Sequence, residues 1–374
     1  MVAAGTVGPG GVGLGQALVL RILQVAYSLV PVGPDAVGGS EQVLYHLERG
    51  LAARGFETLV IASEDSQVSG KLIPLPRASL PYDEPRIAAM RARQANAIRA
   101  ALSRHRIDLV HMHGFDFDCY LPPAGVPVLA TLHCPPAWYS SNALYTSKPG
   151  VWLNAVSRYQ FEDLSPDDQL LGFVENGVPI EDLGNLHHAR RRFALMLARI
   201  SPEKGIREAL EAARSADVPL LIAGSLYPYP DHQRYFTEEI APLLDRKRRY
   251  LGPVDFARKR HLLAAAQCVV IPSIEPETSS LVLREAFAAG TPVIAIRRGA
   301  LAEVIDHGVT GLLVDSVAEM AAALLTTSAL NRDACRKIAR ERFSLERMID
   351  GYIQLYWEVL RRSASQLAEF EIAP

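Results

Sequence analysis

Two carboxylates in the second half of the chain are placed to receive the hydroxyl groups of a ligand. Glu277 stands in a polar turn after a short apolar run, and Glu285 follows with seven residues between them, in a helical segment that ends at Gly290. A loop of small residues that opens a helix presents backbone N–H groups and the positive end of the helix dipole, which suit phosphate or hydroxyl oxygens. The carboxylates accept hydrogen bonds from sugar and ribose hydroxyls, although two such glutamates taken alone are usually only solvated. The loop and the first helical residue are Thr278, Ser279, Ser280 and Leu281.

Two cations, Arg199 and Lys204, follow the apolar run 193–198, where a predicted strand leads into a helix. A guanidinium forks across phosphate oxygens, and an ammonium adds a point charge. A diphosphate leaving group gains negative charge as the bond to it breaks, and such a pair stabilises that charge without a metal ion. The competing interpretation is an ordinary basic pair at a strand end.

Two glycines, Gly38 and Gly39, lie in the loop between the first predicted strand and a helix predicted from Ser40 to Arg54. Glycine lets the backbone approach a ligand closely, and the helix N-terminus favours an anion. Ser40 is the expected N-cap, and Gly55 follows the expected end of the helix. Taken alone, the segment is equally consistent with a plain loop and cap.

Three histidines, His111, His113 and His133, stand near predicted strand ends and are candidates for the site. A lone histidine in such a place is more often a satisfied structural group than a functional one. The sequence predicts no metal site, because the His-x-His pair has no third ligand nearby and no Asp-x-Asp motif lies in a cleft loop.

Short apolar runs alternate with amphipathic stretches along the chain, as is typical of parallel strands buried on both faces and joined by helices. This pattern predicts an α/β protein of two doubly wound lobes that meet near residue 185, with ligands in the cleft between them. The predicted strands lie at 21–26, 58–62, 108–112, 127–132 and 151–156, and then at 193–198, 218–224, 268–272 and 291–296.

The N-terminal segment has a composition unlike the rest. Residues 1–19 are rich in Gly, Ala and Val without a helical or strand period, and we interpret them as a disordered tail. The glycines at 8–15 imitate a dinucleotide-binding fingerprint, but no strand precedes them, so we reject that interpretation. We place one domain at 20–185, a second at 186–343 and a C-terminal segment at 344–374.

The bulk properties narrow the class of protein. A chain of 374 residues exceeds what one hydrophobic core usually supports. Its formal charge of -2 and its scattered Lys and Arg residues exclude nucleic acid as the expected partner. The four cysteines have no close spacing, so neither a zinc site nor a disulfide framework is indicated and a cytoplasmic location fits. No long apolar run or export signal is present, so we expect any membrane contact to be peripheral, at the inner face.

The segment from Pro272 to Val293 resembles the signature of the family 4 glycosyltransferases, in which two glutamates separated by seven residues follow Pro-Ser and precede Glu-Ala-x-Ala-x-Gly-x-Pro-Val. The resemblance implies that Glu277 touches the transferred sugar and that Glu285 holds the nucleotide ribose. The family commonly has Gly-Phe-Gly after the first glutamate. This chain has Thr-Ser-Ser at 278–280, which leaves the donor sugar open.

Further motifs strengthen the resemblance. The stretch that contains Arg199 and Lys204 is similar to the family's Gly-Arg-x-x-x-x-Lys-Gly, with Ala198 in place of the first glycine, and this implies that both cations bind the diphosphate. Gly-Gly-Ser-Glu at 38–41 resembles the family's Gly-Gly-x-Glu. The family also places a histidine near the donor sugar and the reacting carbon, which implies that role for His133. For His111 and His113 we favour a structural or acceptor-side role.

The resemblance runs from Arg21 to about Arg361 and implies the GT-B fold, in which two Rossmann-like lobes face a cleft. It implies that the second lobe holds the nucleotide, that the first holds the acceptor, and that the segment 344–374 crosses back onto the first lobe as a helix. The implied reaction is retaining transfer of a hexose or related sugar from a nucleoside diphosphate sugar to a glycan, lipid-linked or small-molecule acceptor. No cofactor and no metal ion are implied.

We predict catalytic roles for four residues and substrate contacts for a larger set. The catalytic residues are Glu277, His133, Arg199 and Lys204. The substrate contacts are Gly38, Gly39, Arg199, Lys204, Thr278, Ser279, Ser280, Leu281 and Glu285.

Other functions stay open at this point. A nucleotide-sugar epimerase can have the same two lobes, and the altered loop at 278–280 is also consistent with a catalytically silent nucleotide-sugar-binding protein. A dinucleotide-dependent dehydrogenase is the weakest alternative, because no glycine fingerprint follows a strand. The segment 86–106 carries six arginines among alanines and isoleucines, which indicates either a helix that lies on anionic lipid or a solvated helix face.

Overall fold

The computed structural model describes residues 19–78, 83–146, 148–164, 168–186 and 191–372. The tail predicted at 1–19 falls outside these residues except for its last position. The described chain forms two parallel sheets, one in each half, and helices cover both faces of each sheet.

The first lobe is built on a seven-stranded sheet in the order β3-β2-β1-β4-β5-β6-β7, with every neighbouring pair parallel. Its strands are β1 (Arg21–Val25), β2 (Glu57–Ser63), β3 (Lys71–Leu75), β4 (Leu109–Met112), β5 (Val128–Thr131), β6 (Val151–Ala155) and β7 (Leu170–Phe173). Its helices are α1 (Gly39–Ala53), α2 (Glu84–Arg104), α3 (Ser141–Leu144) and α4 (Arg158–Asp163).

The second lobe is built on a six-stranded parallel sheet in the order β10-β9-β8-β11-β12-β13. Its strands are β8 (Ala194–Leu197), β9 (Leu220–Ala223), β10 (Arg248–Tyr250), β11 (Cys268–Ile271), β12 (Val293–Ile296) and β13 (Gly311–Val314). Its helices are α5 (Ile180–Gly184), α6 (Ile206–Ser215), α7 (Pro230–Tyr235), α8 (Phe256–Ala265), α9 (Leu281–Ala288), α10 (Val317–Thr326) and α11 (Arg332–Arg342). The chain enters the core of this lobe at Val178 and Leu183.

The last helix, α12 (Leu345–Ile372), returns to the first lobe. Its residues Met348, Tyr352 and Tyr356 are fully buried against the first sheet and against Leu47 and Leu51 of α1. Where the chain crosses between the lobes, Val178 N–H donates to the Phe343 carbonyl at 2.9 Å, so the outward and return crossings lie side by side.

The start of α1 differs from the sequence prediction. Gly38, not Ser40, is the N-cap, and the Ser40 hydroxyl donates to Glu41 Oε1 at 3.0 Å instead of capping the helix. Serine hydroxyls bond to whichever local acceptor is best placed, and here that acceptor is a buried carboxyl group. The prediction of Ser40 as N-cap is therefore wrong.

The arginine-rich helix α2 places its apolar residues inward. Ile98 and Ala101 are buried in the first-lobe core, whereas Arg86, Arg93 and Arg99 are exposed. This arrangement favours the solvated-face interpretation over a lipid-binding one, because an interfacial helix needs an apolar face toward the membrane. Among the described residues, no helix combines the length and the apolar character that crossing a bilayer requires.

Candidate active site

A cleft of about 610 Å³ separates the two lobes and is lined by every residue that the sequence predicts as catalytic or as a substrate contact. Its floor consists of loops that follow strands of both sheets, which is where parallel sheets bind ligands. The size is within the range of small-molecule sites, which is roughly 300–1,000 Å³. The predicted residues that line it are Gly38, Gly39, His133, Arg199, Lys204, Glu277, Thr278, Ser279, Ser280, Leu281 and Glu285.

Lys204 and Glu277 form an ion pair in this cleft, with 2.7 Å between Nζ and Oε1. The Ser273 hydroxyl donates to the same carboxylate oxygen at 2.6 Å. Burial alone raises the pKa of Glu277, but the Lys204 ammonium and the Ser273 hydroxyl outweigh it and hold the pKa below its ordinary value. Glu277 is therefore ionised at neutral pH.

Gly205 fixes the position of Lys204. It ends a short turn with a left-handed backbone (φ +67°) and begins α6. A Cβ at this position would lie 2.1 Å from the Pro272 carbonyl oxygen, so only glycine lets this turn pack against the end of β11. The loop that carries Lys204 and the loop that carries Glu277 are in this way packed directly together.

Arg199 follows β8 and is held by a carboxylate that the sequence did not single out. Its Nη2 lies 3.0 Å from Glu203 Oε1, which also accepts from the Ser201 hydroxyl at 2.6 Å. The guanidinium lies over the Tyr227 ring, 5.8 Å from its centroid. These contacts orient the guanidinium in the cleft.

Glu285 has a partner that no local motif indicates. Lys259 on α8 places Nζ 2.5 Å from Glu285 Oε1 on α9. Both side chains are largely buried and both line the cleft. A ligand hydroxyl that reaches Glu285 therefore meets a carboxylate and an ammonium together.

The loop at 278–280 connects parts of the chain that are distant in sequence. Thr278 donates through Oγ1 to the His133 carbonyl of the first lobe at 2.9 Å, and Ser279 accepts from Asn176 at 2.9 Å. Ser280 is the N-cap of α9 and accepts from Leu283 N–H. Each hydroxyl in the segment where the family commonly has Gly-Phe-Gly therefore has a defined partner.

His111 belongs to a buried chain of hydrogen bonds rather than to the cleft. Asn154 Oδ1 can only accept, so the Thr131 hydroxyl donates to it at 2.7 Å and accepts from His111 Nε2 at 2.7 Å. His111 Nδ1 then accepts from the Tyr356 hydroxyl at 2.9 Å. Burial lowers the pKa of His111, which matches this neutral tautomer, and the chain ties α12 to β4 and β5.

His113 and His133 form a stacked pair at the cleft, with His113 Nδ1 3.1 Å from His133 Nε2. Burial lowers the pKa of His133 to about 3 and also lowers that of His113, so both rings are neutral. His113 is almost fully buried, with only 2% of its surface exposed. Its Nε2 nevertheless has no hydrogen-bond partner within the described part of the chain. A bound ligand is the natural partner for that atom.

Glu41, in the predicted Gly-Gly-x-Glu segment, lies folded against its own loop. A Cβ at Gly38 would fall 1.8 Å from Glu41 Oε2, so the glycine makes room for the carboxyl group. Burial raises the pKa of Glu41 to about 7, and the hydrogen bond from Ser40 and the positive charge of Arg199 only partly offset it.

Glu41→Gln is expected to make the protein more stable above neutral pH. The folded-state pKa of about 7 exceeds the ordinary value of 4.5, so the stabilising proton is lost as the pH rises through 7. Glutamine keeps the shape of the protonated group. The difference in free energy of unfolding should grow to roughly 3 kcal/mol between about pH 5 and about pH 8. Urea unfolding of both proteins across this range measures it, and a difference that does not change with pH would count against this assignment.

In the described part of the chain, no three His, Cys, Asp or Glu side chains come together as ligands for a metal ion. On the second lobe the site brings together three ion pairs, Lys204 with Glu277, Arg199 with Glu203 and Lys259 with Glu285, opposite the histidine pair on the first lobe.

Two α/β lobes that face a cleft are the arrangement of the GT-B fold, and comparison with solved structures shows that fold. Sucrose-phosphate synthase from Thermosynechococcus elongatus superposes with a TM-score of 0.73 at 19% identity, covering 92% of this chain and 100% of that one. The Anabaena protein HepE in complex with UDP-glucose superposes with a TM-score of 0.70 at 20% identity, again covering 92% and 100%.

Sequence comparison gives the family. The model of Glycosyltransferase Family 4 matches residues 37–163, and that of Glycosyl transferases group 1 matches residues 183–344. The phosphatidyl-myo-inositol mannosyltransferase of Mycobacterium leprae is 26% identical over 346 residues, which is 83% of this chain and 88% of the relative. The N-acetyl-alpha-D-glucosaminyl L-malate synthase of Bacillus anthracis is 38% identical over 120 residues, which is 30% of this chain and 31% of that protein. The chain belongs to the family 4 glycosyltransferases.

Proposed function

We propose that this glycosyltransferase transfers a sugar from a nucleoside diphosphate sugar to an acceptor hydroxyl, with retention of the anomeric configuration and without a metal ion. The observation that carries the proposal is the ion pair of Lys204 with Glu277 at 2.7 Å, in a cleft that Arg199 also lines. This pair combines a cation for the leaving group with a carboxylate for the sugar.

Lys204 and Arg199 hold the diphosphate of the donor. As the bond to the anomeric carbon breaks, negative charge grows on the nearest phosphate oxygen, and two fixed cations in a partly dry cleft stabilise it. Together they supply roughly several kcal/mol, comparable with the contribution of a bound metal ion. The ion pair of Arg199 with Glu203 keeps its guanidinium in place before the donor binds.

Glu277 orients the transferred sugar. Its lowered pKa keeps it a carboxylate, so it accepts hydrogen bonds from sugar hydroxyls. Lys204 and Ser273 fix one of its oxygens, Oε1, which leaves Oε2 for the donor.

The acceptor hydroxyl attacks the anomeric carbon from the face that the leaving group occupies. Its proton goes to the departing phosphate. His133, with a pKa of about 3, is too weak a base to take a proton from a hydroxyl. A terminal phosphate group has a second pKa near 6 and is therefore a better base than His133. Its oxygen is released next to the anomeric carbon as the bond to the sugar breaks. His133 then serves to position the sugar at the reacting face.

Glu285 holds the ribose, and its replacement tests that role. Glu285→Gln is expected to raise the donor KM by about tenfold with kcat nearly unchanged, because ribose binding is the same in the ground state and the transition state. Steady-state kinetics measure both constants. The exposed Glu346 on α12 offers a control, since Glu346→Gln should change neither. A fall in kcat at an unchanged KM would assign Glu285 to the chemical step instead.

The acceptor is a glycan, lipid-linked or small-molecule alcohol bound on the first lobe, and we place the reaction in the cytoplasm or at the inner membrane face. The names of several relatives support a sugar alcohol or lipid acceptor: phosphatidyl-myo-inositol mannosyltransferase, and the D-inositol 3-phosphate glycosyltransferase of Corynebacterium glutamicum, which is 37% identical over 107 residues.

A donor panel tests the proposal. UDP-, GDP- and ADP-sugars are incubated with the protein in the presence of EDTA, and we expect slow release of sugar from one donor. NMR identifies the anomer of the sugar that is released first, and we expect it to be the same anomer as in the donor. Release that needs an added divalent ion would overturn metal independence, and the opposite anomer would overturn retention. Tight donor binding without release, even with candidate acceptors, would favour the silent binder.

A further inference from the structure

Three aromatic side chains stand at the acceptor side of the cleft, each after one of three neighbouring strands. Tyr27 follows β1, Phe115 follows β4, and Trp138 lies in a short turn after β5. These strands are adjacent in the first sheet, so their carboxyl ends meet at one edge. All three side chains line the cleft, and we call them the aromatic platform.

The platform is open to a ligand. The rings of Tyr27 and Phe115 pack together with 5.1 Å between centroids, and Trp138 is 41% exposed. Val37, at 44% exposed, lines the same side. Exposed apolar surface that is gathered in a concave site and bordered by polar groups is typical of a binding surface. Aromatic faces of this kind pack well against the C–H face of a ring.

The charges of the cleft are divided between the lobes. Of the described residues that line it, every lysine and arginine belongs to the second lobe, namely Arg199, Lys204 and Lys259. In the proposed reaction Arg199 and Lys204 bind the diphosphate of the donor, and Lys259 is ion-paired with Glu285, which holds the ribose. The charged residues that the first lobe contributes are both acidic, Asp35 and Glu41.

Arg91 does not alter this division. It lies on α2 behind the platform, where its Nε contacts Asp116 Oδ2 at 2.8 Å, and it is not part of the cleft lining. On the first-lobe side of the cleft, a phosphate group on the acceptor would therefore find no lysine or arginine among the described lining residues. Sites that recognise phosphate use arginine or lysine for that purpose, and like charges placed together oppose binding strongly.

We propose that the acceptor carries no phosphate group and is a neutral sugar or polyol whose ring packs on the aromatic platform, with one hydroxyl bonded to His113 Nε2. This inference rests on the proposed function and specifies its acceptor. His113 Nε2 is the buried atom without a partner described above, and His113 directly follows β4 and lines the same cleft as Phe115. The relatives named for phosphatidyl-myo-inositol and D-inositol 3-phosphate act on phosphorylated compounds, so this chain would differ from them in acceptor class.

Matched acceptor pairs test the proposal. Methyl α-glucoside is compared with its 6-phosphate, and myo-inositol with its 3-phosphate, using the donor that the hydrolysis panel identifies. We expect kcat/KM for the unphosphorylated member to exceed that for the phosphorylated member by on the order of a hundredfold. Equal or higher kcat/KM for the phosphorylated members would overturn the proposal, as would the failure of every unphosphorylated probe up to its solubility limit.

Variants separate the platform from the rest of the cleft. Trp138→Ala should raise the acceptor KM by about tenfold, and Trp138→Phe should restore much of that loss. Trp357→Ala is the control, because Trp357 is 52% exposed on α12 and is not part of the cleft. An unchanged acceptor KM in Trp138→Ala would overturn the role of the platform. If the wild-type protein cleaves no donor at all, the proposed function fails instead, since donor cleavage in water needs no acceptor.

Discussion

Lys204→Ala is expected to lower the rate of donor cleavage by about 10²- to 10³-fold, the effect of removing one fixed donor from a developing negative charge. The variant loses a cation that we propose to contact the leaving group. It also leaves Glu277 without its ion pair, and burial then raises the pKa of that carboxyl group. Single-turnover measurements of sugar release, with donor in excess over KM, isolate the effect on the chemical step.

Lys247→Ala is the matched control for this experiment. Lys247 lies in the same lobe and also forms an ion pair, with Asp217 at 2.5 Å. Both members of this pair are exposed and lie outside the cleft. We expect its kcat to stay within about twofold of the wild type, since exposed ion pairs contribute little. If the two variants lose activity equally, the role assigned to Lys204 in the cleft is wrong.

Gly205→Ala is expected to lower both the stability of the protein and its activity, because this glycine lies where two loops of the site pack together. A left-handed backbone costs an alanine about 1–2 kcal/mol, and the new methyl group would meet the Pro272 carbonyl oxygen at 2.1 Å. Because the obstacle is backbone, relief requires movement of the chain that leads to Glu277. Both the free energy of unfolding, measured in urea, and the rate of donor cleavage should fall.

Gly55→Ala separates the two causes. Gly55 also has a left-handed backbone (φ +86°), but a Cβ there would have no atom within 4 Å. Gly55→Ala should therefore lose only the free energy of unfolding that a left-handed backbone costs an alanine, and it should keep full activity. The excess loss in Gly205→Ala then measures the packing between the two loops, and equal losses would show that the loops are not tightly packed.

The sequence predicted the interior of both sheets well. All nine apolar runs form strands, because central parallel strands are covered on both faces and therefore consist of continuous apolar residues. The four strands that it did not predict are β3, β7, β10 and β13, and these are the four edges of the two sheets. Edge strands tolerate polar residues and proline, and β3 with Pro74 and β10 with its two arginines show this. The apolar strands β7 and β13 are four residues long and contain a glycine, so they give only a short signal.

The site was predictable in its residues but not in its pairings. The motifs located the carboxylates and the cations, because each motif is a local loop at a strand end. Lys259 carries no such signal, since it reaches Glu285 only through the packing of α8 against α9. The contact between His113 and His133 likewise depends on how two separate loops pack together.

The return of α12 to the first lobe has a consequence for the order in which the protein can fold during synthesis. The hydrophobic core beside α1 includes Met348, Ile349, Tyr352, Tyr356 and Val359, which are synthesised only after the whole sheet of the second lobe. The ribosome adds about 5–20 residues per second, so the first lobe waits on the order of ten seconds or more after its last strand before that core can close. The second lobe, by contrast, has its whole sheet and α11 before α12 begins. The lobe that is synthesised second is thus the one that can be completed first.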